Sequence, residues 1–133
     1  RLGVLGPQGA AAEGIETALH YGDGIENAKN ASFRDAFKKK AGREADVYAV
    51  QGYDAAQLLA IGLEAVKGKI DDEANLYKAM RAAKIDSPRG PISFSSNQEV
   101  VQNIYLRKAT GGLNKVTGIA VEALADPGTG CKL

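Results

Sequence analysis

Scarcity is the first property of this 133-residue chain: one cysteine, one histidine, one methionine and no tryptophan, with aromatics at 6%. A single thiol, Cys131, closes no internal disulfide and has no histidine or cysteine neighbour at metal-ligand spacing. For an exported protein a lone thiol is unusual, and a partner cysteine outside the sequence would account for it. The one imidazole, His20, has no serine or cysteine placed beside it by any motif, so a nucleophile–base set cannot be assembled. Charge of one sign is also lacking. The formal net charge is +1, which argues against a nucleic-acid partner, because phosphate recognition needs a basic stripe. The local run Lys38-Lys39-Lys40 with Arg43 reads as the cation-rich last turn of a helix. No apolar stretch approaches the roughly 18 residues of a bilayer-spanning helix.

What is present is an ordinary globular composition, 44% hydrophobic and 25% charged, of a length that fits one domain. There is no initiator methionine, and Arg1-Leu2-Gly3-Val4-Leu5 reads as a short buried strand at the very start. A sheet whose first strand opens the chain needs neighbours from elsewhere, so upstream sequence is expected to be missing.

Patterning divides the rest. Gly6-Pro7-Gln8-Gly9 is a turn-rich junction, and 15–21 reads as a second strand. Asn30 or Ser32 can cap a helix that carries Phe33, Ala36, Phe37 and Ala41 on one stripe and stops at Gly42. The longest helix is expected from about Asp46 to Lys67, with Ala55, Leu58, Leu59, Gly62, Leu63 and Val66 at i, i+3, i+4 spacing. Gly52 and Gly62 inside it suggest close packing, since each costs about 1 kcal/mol relative to alanine. Asp71 or Asp72 caps a shorter helix with Leu76, Met80 and Ala83 inward. Ser87 to Pro91 is a turn and Ile92-Ser93-Phe94 a short strand. Residues 100–108 and 116–122 alternate with period 2 around Gly111-Gly112, as a two-stranded antiparallel ribbon. Strands alternating with helices make the fold α/β, with a parallel sheet expected and the late strands an antiparallel addition.

Catalytic signatures do not emerge. Asp71, Asp72 and Glu73 are consecutive, so they cannot share one helix face as an acid/base pair. The spacing of Gly3, Gly6 and Gly9 is neither a dinucleotide fingerprint nor a phosphate loop. A small stand-alone α/β enzyme therefore ranks last among the readings. Binding chemistry remains. Ligands of open α/β sheets sit beyond the carboxyl ends of strands, where Gln8 offers a donor and an acceptor and Gly9 lets a ligand approach backbone. Tyr48, near the start of the long helix, offers an apolar face and a hydroxyl. His20 and Gln51 are weaker candidates for the margin of the same site. No cofactor and no metal is expected.

Several segments resemble, in order and spacing, the type I periplasmic solute-binding proteins. Gly52-Tyr53-Asp54-Ala55-Ala56-Gln57-Leu58-Leu59, followed by Gly62-Leu63-Glu64-Ala65, is similar to their long helix. Asp71 to Leu76 with Met80 resembles the next helix, Ser87 to Phe94 their turn before a strand, Gln102 to Tyr105 a later strand, and Phe33 to Gly42 the preceding helix. The resemblance covers nearly all of residues 1–133 but only the C-terminal third or so of a family member. It is nearest to the branched-chain amino-acid receptor branch of ABC-transporter receptors. It implies two Rossmann-like lobes joined by three crossovers, a ligand in the cleft and no catalysis. This chain would supply the C-terminal portion, spanning parts of both lobes. It further implies a small-molecule ligand, an ABC permease in the inner membrane as partner, the remainder of the same receptor as a second partner, and a periplasmic or membrane-tethered extracellular location.

In that branch an acidic residue between Pro and Gly holds the ligand's ammonium, and an aromatic residue entering the long helix touches its side chain. Gln8 and Tyr48 match those places. A neutral amide cannot give an ammonium its charge-assisted bond, so a ligand with a carboxylate and no amine is expected. Members resembling this chain through the tail Asp126-Pro127-Gly128-Thr129-Gly130-Cys131 bind aromatic carboxylates. The alternative on the same fold is a ligand-sensing regulator of the amide-responsive type.

Overall fold

The computed structural model describes residues 5–130. Leu5–Gln8 forms a single helical turn, α1, and Gly9–Ala12 a 3-10 turn. The expected opening strand lies outside the described residues except for Leu5, which is helical, and the junction that follows is wound rather than open. Pro7 tolerates this because the first turn of a helix has no use for its missing N–H. Gly9 takes φ +54°, a left-handed conformation natural to glycine.

Strand β1, Glu16–Leu19, comes next, within the expected span. Helix α2 runs Ala28–Ala41 and is capped by Asn27, whose side chain accepts the Asn30 N–H at 2.6 Å. Neither expected cap performs that role. Asn30 is buried inside the first turn, where its amide donates to the Ile25 carbonyl and accepts from the Tyr21 hydroxyl. Gly42 ends α2 at φ +68°, as its position suggested. Helix α3, Val47–Ala65, is capped by Asp46, which accepts the Ala49 N–H at 2.9 Å. Helix α4 is Glu73–Arg81, with Asp72 at the cap position but its carboxylate taken by the Asn75 amide.

The two helix glycines differ. A methyl at Gly62 would meet Met80 Cγ at 2.8 Å and Leu76 Cδ1 at 2.9 Å, so α3 and α4 pack closely there. Gly52 has open space around its Cα and no such role. Leu59 also leaves the expected stripe and is 49% exposed, because α4 and the strands cover the side of α3 that carries Leu58 and Ile61.

Ile85–Ser87 is a strand, β2, that the sequence reading placed partly in a turn. It pairs with β3, Gly90–Phe94, across a two-residue bend at Pro88-Arg89. Strands β4, Val100–Thr110, and β5, Leu113–Leu124, form the expected ribbon and extend beyond it. The parallel sheet is not what the described strands build. β1 pairs β4, β2 pairs β3, β3 pairs β4 and β4 pairs β5, all antiparallel, and one isolated bridge, Asp23 to Lys115, is parallel. Local hairpins need only short turns, and those turns were in the sequence; a parallel neighbour needs a crossover partner.

Two apolar clusters result. Tyr21, Phe33, Ala45 and Val50 are buried together, with Phe37 and Tyr53 packed around them. Ala83, Ile85 and Ile92 form the second, flanked by Leu58, Ile61, Phe94 and Val100.

Candidate functional site

The second cluster floors a concavity of about 300 Å³ whose other end is polar. His20, just past β1, and Gln51 and Asp54, on α3, meet Arg89 from the β2–β3 bend and Gln102 from β4. Leu58, Ile85, Ile92, Phe94 and Val100 line it as well.

Arg89 is the centre of the polar end. Its Nε donates to Asp54 Oδ2 at 2.7 Å, and both side chains are only 7% exposed. Its Nη1 donates to Gln102 Oε1. Its backbone is held too: the N–H donates to Ser87 Oγ at 3.2 Å, and the carbonyl accepts the Tyr105 hydroxyl at 2.7 Å. Arg89 thus ties α3, through Asp54, and β4, through Gln102 and Tyr105, to the β2–β3 bend. A carboxylate so buried needs donors at both oxygens. Asp54 Oδ1 has none among the described residues.

His20 and Gln51 are brought together as marginal candidates, with Nε2 atoms 3.2 Å apart. A neutral imidazole accepts the Gln51 amide N–H there; an imidazolium cannot. Burial holds the imidazole pKa below its ordinary 6.5, and the charges of Arg89 and Arg107 add to the effect while Asp54 opposes it.

The three leading candidates lie elsewhere. Gln8 and Gly9 are exposed on the turns that open the described chain. Tyr48, the second residue of α3, is 76% exposed, the largest exposure among the big hydrophobic side chains of the described residues. None of the three lines the concavity around Arg89. The Tyr48 ring is exposed and occupies no core position.

The sequence reading named neither Arg89, Asp54 nor Gln102 as a site residue. One signal was there. Asp54 sits on α3 among Ala49, Val50, Ala55 and Leu58, and a buried carboxylate in that setting needs a buried cation. No group of three or more His, Cys, Asp or Glu side chains that could hold a metal occurs among the described residues.

The family model described as periplasmic binding protein matches residues 3–113. Among curated proteins there is no match. Among solved structures, a solute-binding protein of an ABC transporter from R. palustris, solved with benzoate, is 44% identical with a TM-score of 0.92. The match covers 98% of this chain and 36% of that one. A solute-binding protein from Rhodopseudomonas palustris BisB5, solved with 3,4-dihydroxybenzoic acid, is 38% identical at TM-score 0.79, covering 91% and 34%. A leucine-binding protein from Thermotoga maritima, at 23% identity and TM-score 0.70 over 84% and 32%, shares the fold. The chain spans about a third of the length of these structures.

Proposed function

The chain belongs to the periplasmic binding protein family, and on that premise we propose that it forms part of a receptor for a small aromatic carboxylate that supplies an ABC importer. Proteins of this family are in general solute-binding and not catalytic, and the family implies a periplasmic location. The observation that carries the ligand class is the 44% identity, over 98% of this chain, to a receptor solved with benzoate.

Two features of this chain support it. Gln8 is neutral, so nothing at that place would attract an ammonium, and a carboxylate would meet no fixed negative charge from it. Tyr48 presents an exposed ring at the start of α3, where a flat ligand would gain offset or edge contacts worth about 0.5–1.5 kcal/mol beyond area burial. The ligand would be closed between two lobes by a hinge motion and presented to a membrane permease.

Thermal-shift screening of the receptor carrying this chain tests the reading, because a ligand that binds only the native state raises the melting temperature. Benzoate and 4-hydroxybenzoate should raise it, and leucine and valine should not. Stabilisation by leucine with none by benzoate would overturn the proposal.

A further inference from the structure

Tyr48, the ring that would face the ligand, has a polar neighbour one turn along α3. Residues three apart on a helix stand side by side, so Gln51 shares the face of Tyr48. Both side chains are exposed. Gln51 is held in one orientation. Its Nε2 lies 3.2 Å from Nε2 of His20, just past the end of β1. An amide nitrogen only donates, so this imidazole nitrogen accepts and the imidazole proton sits on Nδ1. Gln51 is left with one N–H and its Oε1, neither with another partner among the described residues. One donor beside one acceptor is what a phenolic hydroxyl requires, because it donates and accepts at once. A carboxylate only accepts, and it would meet the Oε1 lone pairs as well as the N–H. The pair therefore suits a hydroxyl on an aromatic ring rather than the charged end of the ligand.

We propose that Gln51 reads a ring hydroxyl of the aromatic acid, and that His20 is the positioning residue that turns its amide to do so. The inference deepens the receptor reading and rests on it. Receptors similar to this chain were solved with acids that differ in ring hydroxyls, benzoate in one and 3,4-dihydroxybenzoic acid in the other. The selection depends on one proton. An imidazolium donates from both nitrogens, so Gln51 must then turn its Oε1 toward His20. Two N–H groups would point outward, with no acceptor for the hydroxyl proton. Three charged groups act on His20 from the elements around it: Arg89 from the β2–β3 bend, Arg107 from β4 and Asp54 from α3. Burial above all, then the two arginines, hold its pKa below 6.5 against the opposing pull of Asp54. At pH 7 the imidazole is neutral and Gln51 presents its donor and acceptor together.

The experiment titrates the receptor carrying this chain with benzoate, 3-hydroxybenzoate and 4-hydroxybenzoate at pH 8 and pH 5. The readout is the ratio of affinities between the tighter hydroxylated acid and benzoate, which cancels whatever the shared carboxylate does. At pH 8 the hydroxylated acid should be preferred, and Gln51→Met should shrink that preference by about five- to tenfold, the loss of one or two hydrogen bonds. In the unaltered receptor the preference should shrink by about threefold or more at pH 5. In His20→Gln it should be the same at both pH values, because no proton then turns Gln51. Equal affinity for all three acids at pH 8, a ratio untouched by Gln51→Met, or a pH dependence that survives His20→Gln would each overturn the proposal. The receptor reading fails separately. A receptor that binds none of the acids loses both, whereas one that binds benzoate and the hydroxybenzoates with a ratio indifferent to Gln51 keeps its ligand class and loses this selector.

Discussion

Arg89 and Asp54 are two charges that the fold cannot lose singly. Both are almost fully buried, and each is the other's counter-ion. Removing one leaves an uncompensated charge in a low-dielectric setting, which costs about 3–5 kcal/mol. Asp54→Ala and Arg89→Ala should each lower the urea midpoint by that equivalent, and the double variant should lose much less than the sum. His20 sets a second, pH-dependent dependence. Its pKa in the fold is lowered from 6.5, so the unfolded chain binds the proton more readily. The stability it contributes is therefore present above pH 6.5 and lost as pH falls through the lower folded value. Arg89, Arg107 and Asp54 are the charged groups acting on it, with Gln51 as its hydrogen-bond partner. Urea midpoints measured from pH 8 to pH 5 should fall below pH 6.5, and His20→Gln should flatten that part of the curve. An unchanged slope in the variant would remove His20 from the account. At the proposed ligand site, Gln8→Glu should weaken benzoate binding in a calorimetric titration, because it sets a negative charge facing an anion. Unaltered affinity would mean that Gln8 does not face the ligand.

At the scale of the helix, α3 carries two glycines with opposite expectations. Gly52→Ala meets open space and should stabilise the chain by about 0.5–1 kcal/mol, the helix-propensity gain. Gly62→Ala forces a methyl against Met80 and Leu76 and should destabilise it by about 1–3 kcal/mol. The same denaturation series reads both, and a stabilising Gly62→Ala would show that α4 can retreat without cost. The contrast also marks what a sequence can convey. Gly42 as stop and Gly111-Gly112 as hairpin turn were legible, because each acts within a few residues of itself. Asn27 was displaced in the reading by Asn30, since nothing local says that Asn30 is spoken for by Tyr21. The pairing of β1 with β4 and the Asp54–Arg89 pair depend on contacts tens of residues apart, and period alone does not encode a partner. Candidate residues fared in the same way. Their chemistry was legible one by one, while the pairing of His20 with Gln51 beside Arg89 came only from the fold.

At the scale of the whole molecule, the chain matches about a third of the length of the receptors it is similar to. Tyr48 is exposed at the start of α3 and does not line the concavity around Arg89. The Arg89 network ties α3 to the β2–β3 bend and to β4. Sequence resemblance reached the family because its motifs lie along the chain in order, and its expectation of an aromatic carboxylate rested on the neutral Gln8 and on the tail from Asp126 to Cys131. That class is the central claim. Isothermal titration of the receptor carrying this chain, with benzoate in one run and leucine in the other, tests it most directly. The account predicts saturable heat at one benzoate per receptor and none for leucine; saturable leucine binding with no benzoate heat would contradict it.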